Sequence, residues 1–270
     1  MIAQTQIFGH GADRYVPATS PRAMGQTMGQ TMGMSMLPMG MSMLCRTAGR
    51  TLAFCVLVLM GHAGGAAAQT PPGPAERAAY KGLHKAAAEG DVAGVRALLS
   101  AGANPNARDG AGRTPAHAAA FGSHYDVVRT LVAGGGDINA LENDRYDVIT
   151  IAAVKDDVRM VELAIALGGN PGAITSRYDG TALIAAAHLG HEGVVEALIK
   201  AGAPLDHINN LGWTALMEAV VLGDGGKRHV ATAKALVQAG ARKDLGDRAG
   251  VTPMQHARQR NYRAMVAALE

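Results

Sequence analysis

The chain has 270 residues, two cysteines and a formal net charge of +3, a length ample for one domain with a continuous core. That charge sits in the first 68 residues, where Arg14, Arg22, Arg46 and Arg50 stand against Asp13, so residues 69–270 are formally neutral. Bulk charge therefore gives no argument for nucleic acid or an anionic membrane surface as a partner, and no nucleic acid is expected.

Residues 1–68 read as a leader outside the fold. Residues 24–43 form a Met/Gly/Gln tract with no helical or strand period. Arg46 and Arg50 then precede an apolar run over 51–60, and small residues follow to Ala66-Ala67-Ala68. A positive end, a short apolar centre and an A-x-A site describe a secretory signal peptide cut near Ala68. The run is about half the roughly 20 residues that a spanning helix needs, which disfavours the alternative of a retained membrane anchor. The stretch before Met41 is too long for a signal n-region and places the expected translation start at Met41 or Met43. Cys45 and Cys55 both lie in this leader, so the cleaved chain has neither thiol nor disulfide. A periplasmic or secreted location, without stable membrane insertion after cleavage, is expected.

Residues 69–79 are proline-rich, and Pro71-Pro72-Gly73-Pro74 reads as a stiff, extended tether. Residues 76–82 supply a polar N-terminal cap. From Tyr80 onward one pattern repeats. Its clearest copy spans 179–206, with a first helix expected over 181–189 and a second over 193–200. Val194, Val195, Leu198 and Ile199 make one apolar stripe on the second. Gly190 stands at the turn between the helices, and Gly202 follows as a left-handed cap. The core position of Leu183 recurs at Leu83, Ala116, Ile149, Leu216 and Met254, with successive steps of 33, 33, 34, 33 and 38 residues. One such unit cannot bury both of its faces alone. A sustained step of about 33 residues is the ankyrin period.

The residues carry that resemblance. Thr114-Pro115-Ala116-His117, Ala119-Ala120, His124, Val127-Val128, Leu131-Val132 and Asn139 resemble the ankyrin pattern, as do Leu83-His84, Ala86-Ala87, Gly102-Ala103, Thr214-Ala215-Leu216 and Thr252-Pro253-Met254. The resemblance covers residues 80–269 and implies an all-α repeat solenoid of about six repeats over 80–270, caps included. Its helix-turn-helix units would be joined by β-hairpin or turn fingers. Thr before Pro at a helix start also has a physical reason, since the hydroxyl caps free N–H groups and proline suits the first helical position. Asp109-Gly110 and Asn210-Leu211-Gly212 read as turn tips.

Two units depart from the pattern. In the third, Asp147-Val148-Ile149-Thr150 replaces T-P-L-H and Asp156-Asp157 replaces Gly-His, which leaves its inter-helix turn open. In the fifth, residues 223–229 form an insertion between the helices, at a place where repeat proteins often carry binding loops.

No catalytic constellation emerges. Ser100, Ser123 and Ser176 lie outside any G-x-S-x-G, and Gly225-Gly226-Lys227 lacks the spacing of a phosphate loop. His188 and His191 have the i, i+3 spacing of metal ligands, but His84, His117, His124 and His191 occupy pattern positions that the resemblance makes structural. No metal or cofactor and no enzyme activity are expected.

What remains is a surface. Arg113, Arg145, Tyr146, Arg177, Tyr178, Leu211 and Trp213 fall at or near the tips, in a chain with one tryptophan and few aromatics. Tyr, Trp and Arg are the types that carry interface energy. With Lys227 and Arg228 of the insertion, they form the candidate partner-binding set. The resemblance implies a protein–protein interaction scaffold, here exported to the bacterial periplasm, with a protein partner held on hairpin tips and concave face. The alternative is a small-ligand- or metal-binding envelope protein that uses the 223–229 insertion and the histidines.

Overall fold

A computed structural model describes residues 69–270; the leader, its apolar run and both cysteines lie outside the described residues. After a short helix α1 (Pro74–Ala79), the described residues form six helix pairs. They are α2 (Gly82–Glu89) with α3 (Val92–Ser100), α4 (Pro115–Phe121) with α5 (Tyr125–Ala133), and α6 (Val148–Val154) with α7 (Val158–Ala166). Then come α8 (Ala182–Leu189) with α9 (Glu192–Lys200), α10 (Ala215–Val221) with α11 (Lys227–Gln238), and α12 (Pro253–Gln259) with α13 (Arg263–Leu269). Each first helix packs on its own second helix and on the first helix of the next pair, while second helices stack on second helices. The result is the expected two-layer all-α solenoid.

Local chemistry sets each start. Thr181, Thr214 and Thr252 accept from the backbone N–H three residues on, and Gln255 returns the bond to the Thr252 N–H at 2.8 Å. Asp147 does the same work in the third unit, accepting from Thr150 N at 2.7 Å. The turn left open there is closed by Asp156, which takes the left-handed conformation (φ 60°), with Asp157 capping α7 through Met160 N.

The core runs the length of the stack. Ala87, Ala119, Ala120, Ala152, Ala153, Ala186, Ala187 and Ala219 are fully buried, and their small side chains let neighbouring first helices approach closely. Leu183, Leu198, Leu216 and Leu236 fill the space between layers, whereas Met254, in the last unit, is only partly buried.

Two expectations change. The stretch 69–79 is not an extended tether throughout. Pro74–Ala79 is helical, its start closed by the Gly73 N–H donating to Glu76 at 2.7 Å. Thr70 is held by Arg113, which donates to its carbonyl. The fifth-unit insertion is likewise not all loop, because Lys227, Arg228 and His229 form an added first turn of α11, twelve residues long where the preceding second helices have nine. No helix among the described residues is long and apolar enough to cross a membrane.

Candidate interaction surface

Five tight hairpins join the pairs, at residues 109–113, 142–146, 176–180, 209–213 and 247–251. One device builds them: the first residue offers a side-chain oxygen to the backbone of the turn. Asp109 accepts from Ala111 N and Arg113 N, Asn209 from Leu211 N and Trp213 N, and Asp247 from Ala249 N and Val251 N, all within 2.8–3.0 Å. Ser176 reaches Tyr178 N and Gly180 N, and Glu142 reaches Tyr146 N. The fourth residue always has positive φ: Gly112, Arg145, Asp179, Gly212 and Gly250. Glycine suits that position, and Arg145 and Asp179 occupy it with a Cβ.

The hairpins also bond to one another. Asn143 N donates to Ala111 O, Ser176 N to Arg145 O and Asn210 N to Tyr178 O, at 2.9–3.0 Å. These are turn contacts, and the only bridge among the described residues is Thr175–Gly180. Between the second and third hairpins two ion pairs cross, Arg145–Asp179 at 2.9 Å and Arg177–Asp144 at 2.6 Å, all four side chains about half exposed.

The candidate residues divide. Arg145, Arg177, Tyr178 and Leu211 are exposed on neighbouring hairpins, and Trp213 is half-buried beside them. Arg113 does not belong to the surface. It is buried beneath α1, paired with Asp109 and Glu76, and it anchors Thr70. Tyr146, at the fifth position of the second hairpin, is also buried, at 7 % exposure. Lys227 and Arg228 are exposed but lie elsewhere. The 209–213 hairpin precedes α10 and the insertion follows it, which separates them by the length of that helix, about 10 Å. Arg228 there reaches Asp156 at 3.3 Å and the Gly190 carbonyl.

Sequence reasoning missed Ile174 and Ile208, which are 48 % and 50 % exposed just ahead of the third and fourth hairpins. Their signal was an apolar residue outside the helical period, since Arg108 stands where Ile208 does. With Tyr178 and Leu211 they make an exposed apolar set on two adjacent connections.

The histidines are cross-ties between units. Ring nitrogens of His84, His124, His191 and His229 donate to the carbonyls of Arg113, Ala88, Ala153 and His188 at 2.8–3.1 Å. His117 is fully buried. Thr114 N donates to its Nδ1, which leaves Nε2 carrying the proton that is donated to the Tyr146 carbonyl. Burial pushes its pKa down to about 4, against a lesser upward pull from that carbonyl. A nitrogen committed as donor is not a metal ligand, and no group of three or more His, Cys, Asp or Glu is placed to hold a metal among the described residues. Burial first, and then the Asp109 carboxylate that it donates to, push the Tyr80 phenol up to about 12.

Comparison with known proteins agrees with this geometry. Family models for ankyrin repeats match residues 83–132 (many copies) and 149–247 (three copies). YahD of Escherichia coli (strain K12), named as an ankyrin repeat protein, is 36% identical over 94 residues, 34% of this chain and 47% of that one. The chain thus spans about half the length of that relative. An ankyrin repeat domain from Acinetobacter baumannii is 37% identical with a TM-score of 0.66, over 69% of this chain and 95% of that one. The ankyrin repeat protein EF0377 is 28% identical with a TM-score of 0.65, over 70% and 98%. A chain from the complex of the predatory endopeptidase Bd0816 of Bdellovibrio bacteriovorus with immunity protein Bd3460 is 26% identical with a TM-score of 0.60, over 70% and 97%. Six stacked helix pairs, their shared hairpin device and these matches lead to one conclusion: the chain belongs to the ankyrin-repeat family.

Proposed function

We propose that this protein is a binding scaffold of the bacterial envelope, exported by its leader, that holds a protein partner on its third and fourth hairpins. The observation that carries this reading is the exposed apolar set Ile174, Tyr178, Ile208 and Leu211, concentrated on two adjacent connections and bordered by Arg145 and Arg177. Apolar side chains scattered singly need no explanation, whereas a contiguous set rimmed by polar groups marks a contact surface. The likeness to a chain from an endopeptidase–immunity protein complex supports a protein as the ligand. The signal-peptide pattern over 46–68 supports export. The fold supplies a scaffold and by itself assigns no chemistry.

Affinity capture from an envelope extract tests the reading, with wild type compared against Tyr178→Ala/Leu211→Ala. A partner retained by wild type and lost by the variant, with helix content unchanged, is the expected result. Loss of about 2 kcal/mol or more of affinity would mark these residues as the binding centre. Equal retention by both chains would remove the hairpins from the reading. Cell fractionation with N-terminal sequencing tests export separately, and a cytoplasmic chain that retains its leader would overturn it.

A further inference from the structure

The second helices carry a charge pattern that hairpin binding does not use. α3, α5, α7 and α9 each have nine residues and stack in order. Their fifth residues are Arg96, Arg129, Glu162 and Glu196, all exposed. Along the stack, one register therefore reads plus, plus, minus, minus. None of the four has an ion-pair partner among the described residues. At the second residue, α5 carries Asp126 and α7 carries Arg159, also exposed.

This order is complementary to its own reversal. We propose that the outer face formed by α3, α5, α7 and α9 docks on the same face of a second copy of this chain, about a two-fold axis parallel to the helices between α5 and α7. The axis sets α3 against the partner's α9 and α5 against the partner's α7, and it keeps the height along each helix. Arg96 then meets the partner's Glu196, Arg129 the partner's Glu162, and Arg159 the partner's Asp126. Each contact occurs twice, as a two-fold interface requires.

The remaining charges obey the same arrangement. Glu192 and Lys200, at the ends of α9, fall opposite Val92 and Ser100 of the partner subunit, so no like charges meet on these helices. Two shallow grooves are also brought face to face. Leu99 and Ala133 line the one between α3 and α5, and Ile165 and Ala197 line the one between α7 and α9. Neighbouring registers are rejected. A slip of one unit in one direction sets Arg129 on the partner's Arg129, and in the other direction Glu162 on the partner's Glu162. Rotation about the stack axis sets every charge on its own kind. The pattern thus selects one geometry by repulsion as well as attraction.

Exposed ion pairs are individually weak and screened by salt, so the dimer is a weak, salt-sensitive one. Sedimentation velocity of the chain at about 0.05 M and about 0.5 M salt tests it. The expected result is a concentration-dependent rise toward twice the monomer mass at low salt, lost at high salt. R96E/R129E turns the row entirely negative and E162R/E196R turns it entirely positive. Each is expected to be monomeric alone, and the two mixed to form a one-to-one heterodimer. R96Q/R129Q, folded as judged by circular dichroism, should also weaken association. A monomeric wild type at low salt, dimers that survive either reversal, or reversed variants that do not pair on mixing would overturn the proposal. This surface is separate from the hairpins, so partner capture and self-association fail independently.

Discussion

Arg145 and Asp179 hold the same left-handed place in successive hairpins and pair with each other, guanidinium to carboxylate at 2.9 Å. Three of the five hairpins put glycine there. A Cβ in this conformation costs about 1–2 kcal/mol, and an exposed ion pair returns about 0–1 kcal/mol. Two such residues cost about 2–4 kcal/mol together, and the lost ion pair and the added freedom of two glycines in the unfolded chain take back about 1–3 kcal/mol, so R145G/D179G should lie between a loss of about 1 and a gain of about 3 kcal/mol. If these hairpins hold the partner, the same variant should bind it more weakly. Urea melts and partner titration read the two effects separately, and a stability loss well above that bound would make the pair a fold determinant.

His117 makes stability depend on mildly acidic pH. Its folded pKa, about 4, lies below the ordinary value of 6.5, so the unfolded chain binds more protons between those pH values. Stability is complete above about pH 6.5 and falls as pH drops toward 4, by up to roughly 3 kcal/mol from this group. Protonation would also place a hydrogen on Nδ1, facing the donating Thr114 N–H. Urea midpoints at several pH values for wild type and His117→Asn check this. Parallel pH curves for the two would show that other groups carry the acid sensitivity.

Asp147 caps α6 at 1 % exposure, and burial holds its carboxyl above the usual range. Four other first helices have threonine at this place. Asp147→Thr keeps a capping oxygen and removes the buried charge, and should stabilise by about 0.5–2 kcal/mol at neutral pH. A raised folded pKa means that the penalty is present when the group is ionised and fades once it is protonated. The gain should therefore shrink as pH falls. Thermal melts at pH 7 and pH 4 measure it, and destabilisation at both would show that the carboxylate is needed.

Leu198 is fully buried in α9, in the middle of the stack. Leu198→Ala should cost about 2–5 kcal/mol. Apart from the exposed Arg228–Asp156 pair, which reaches from the fifth unit to the third, the helices pack on those of adjoining units, so the loss should fall unevenly, and hydrogen exchange should rise in the units around α9 before the far end. Uniform exchange across all pairs would mean that the array unfolds as one body.

The sequence alone determined the repeat, the helix pairs and the stacking, because period, caps and alanine pairs are short-range signals. Thr181 caps Ala182–Leu189 and Gly190 turns the chain at φ 67°, as their order requires. The third unit's departures were not resolved by sequence, which left its inter-helix turn open; the structure shows Asp147 and Asp156 doing locally what threonine and glycine do elsewhere. Exposure at the tips was decided only in three dimensions. Arg113 and Arg145 both sit on hairpins, yet α1 and residue 70 close over the first, while the second stays half exposed in an ion pair with Asp179. Tyr146 and Trp213 share the fifth hairpin position, and their neighbours bury one more than the other. Lys227 joined the candidate set by sequence and left it by distance, because the insertion and the hairpins lie at opposite ends of α10. A side chain's place in its own unit is fixed by its chain neighbours, whereas its access to a partner is fixed by what the adjoining units and the N-terminal helix lay across it.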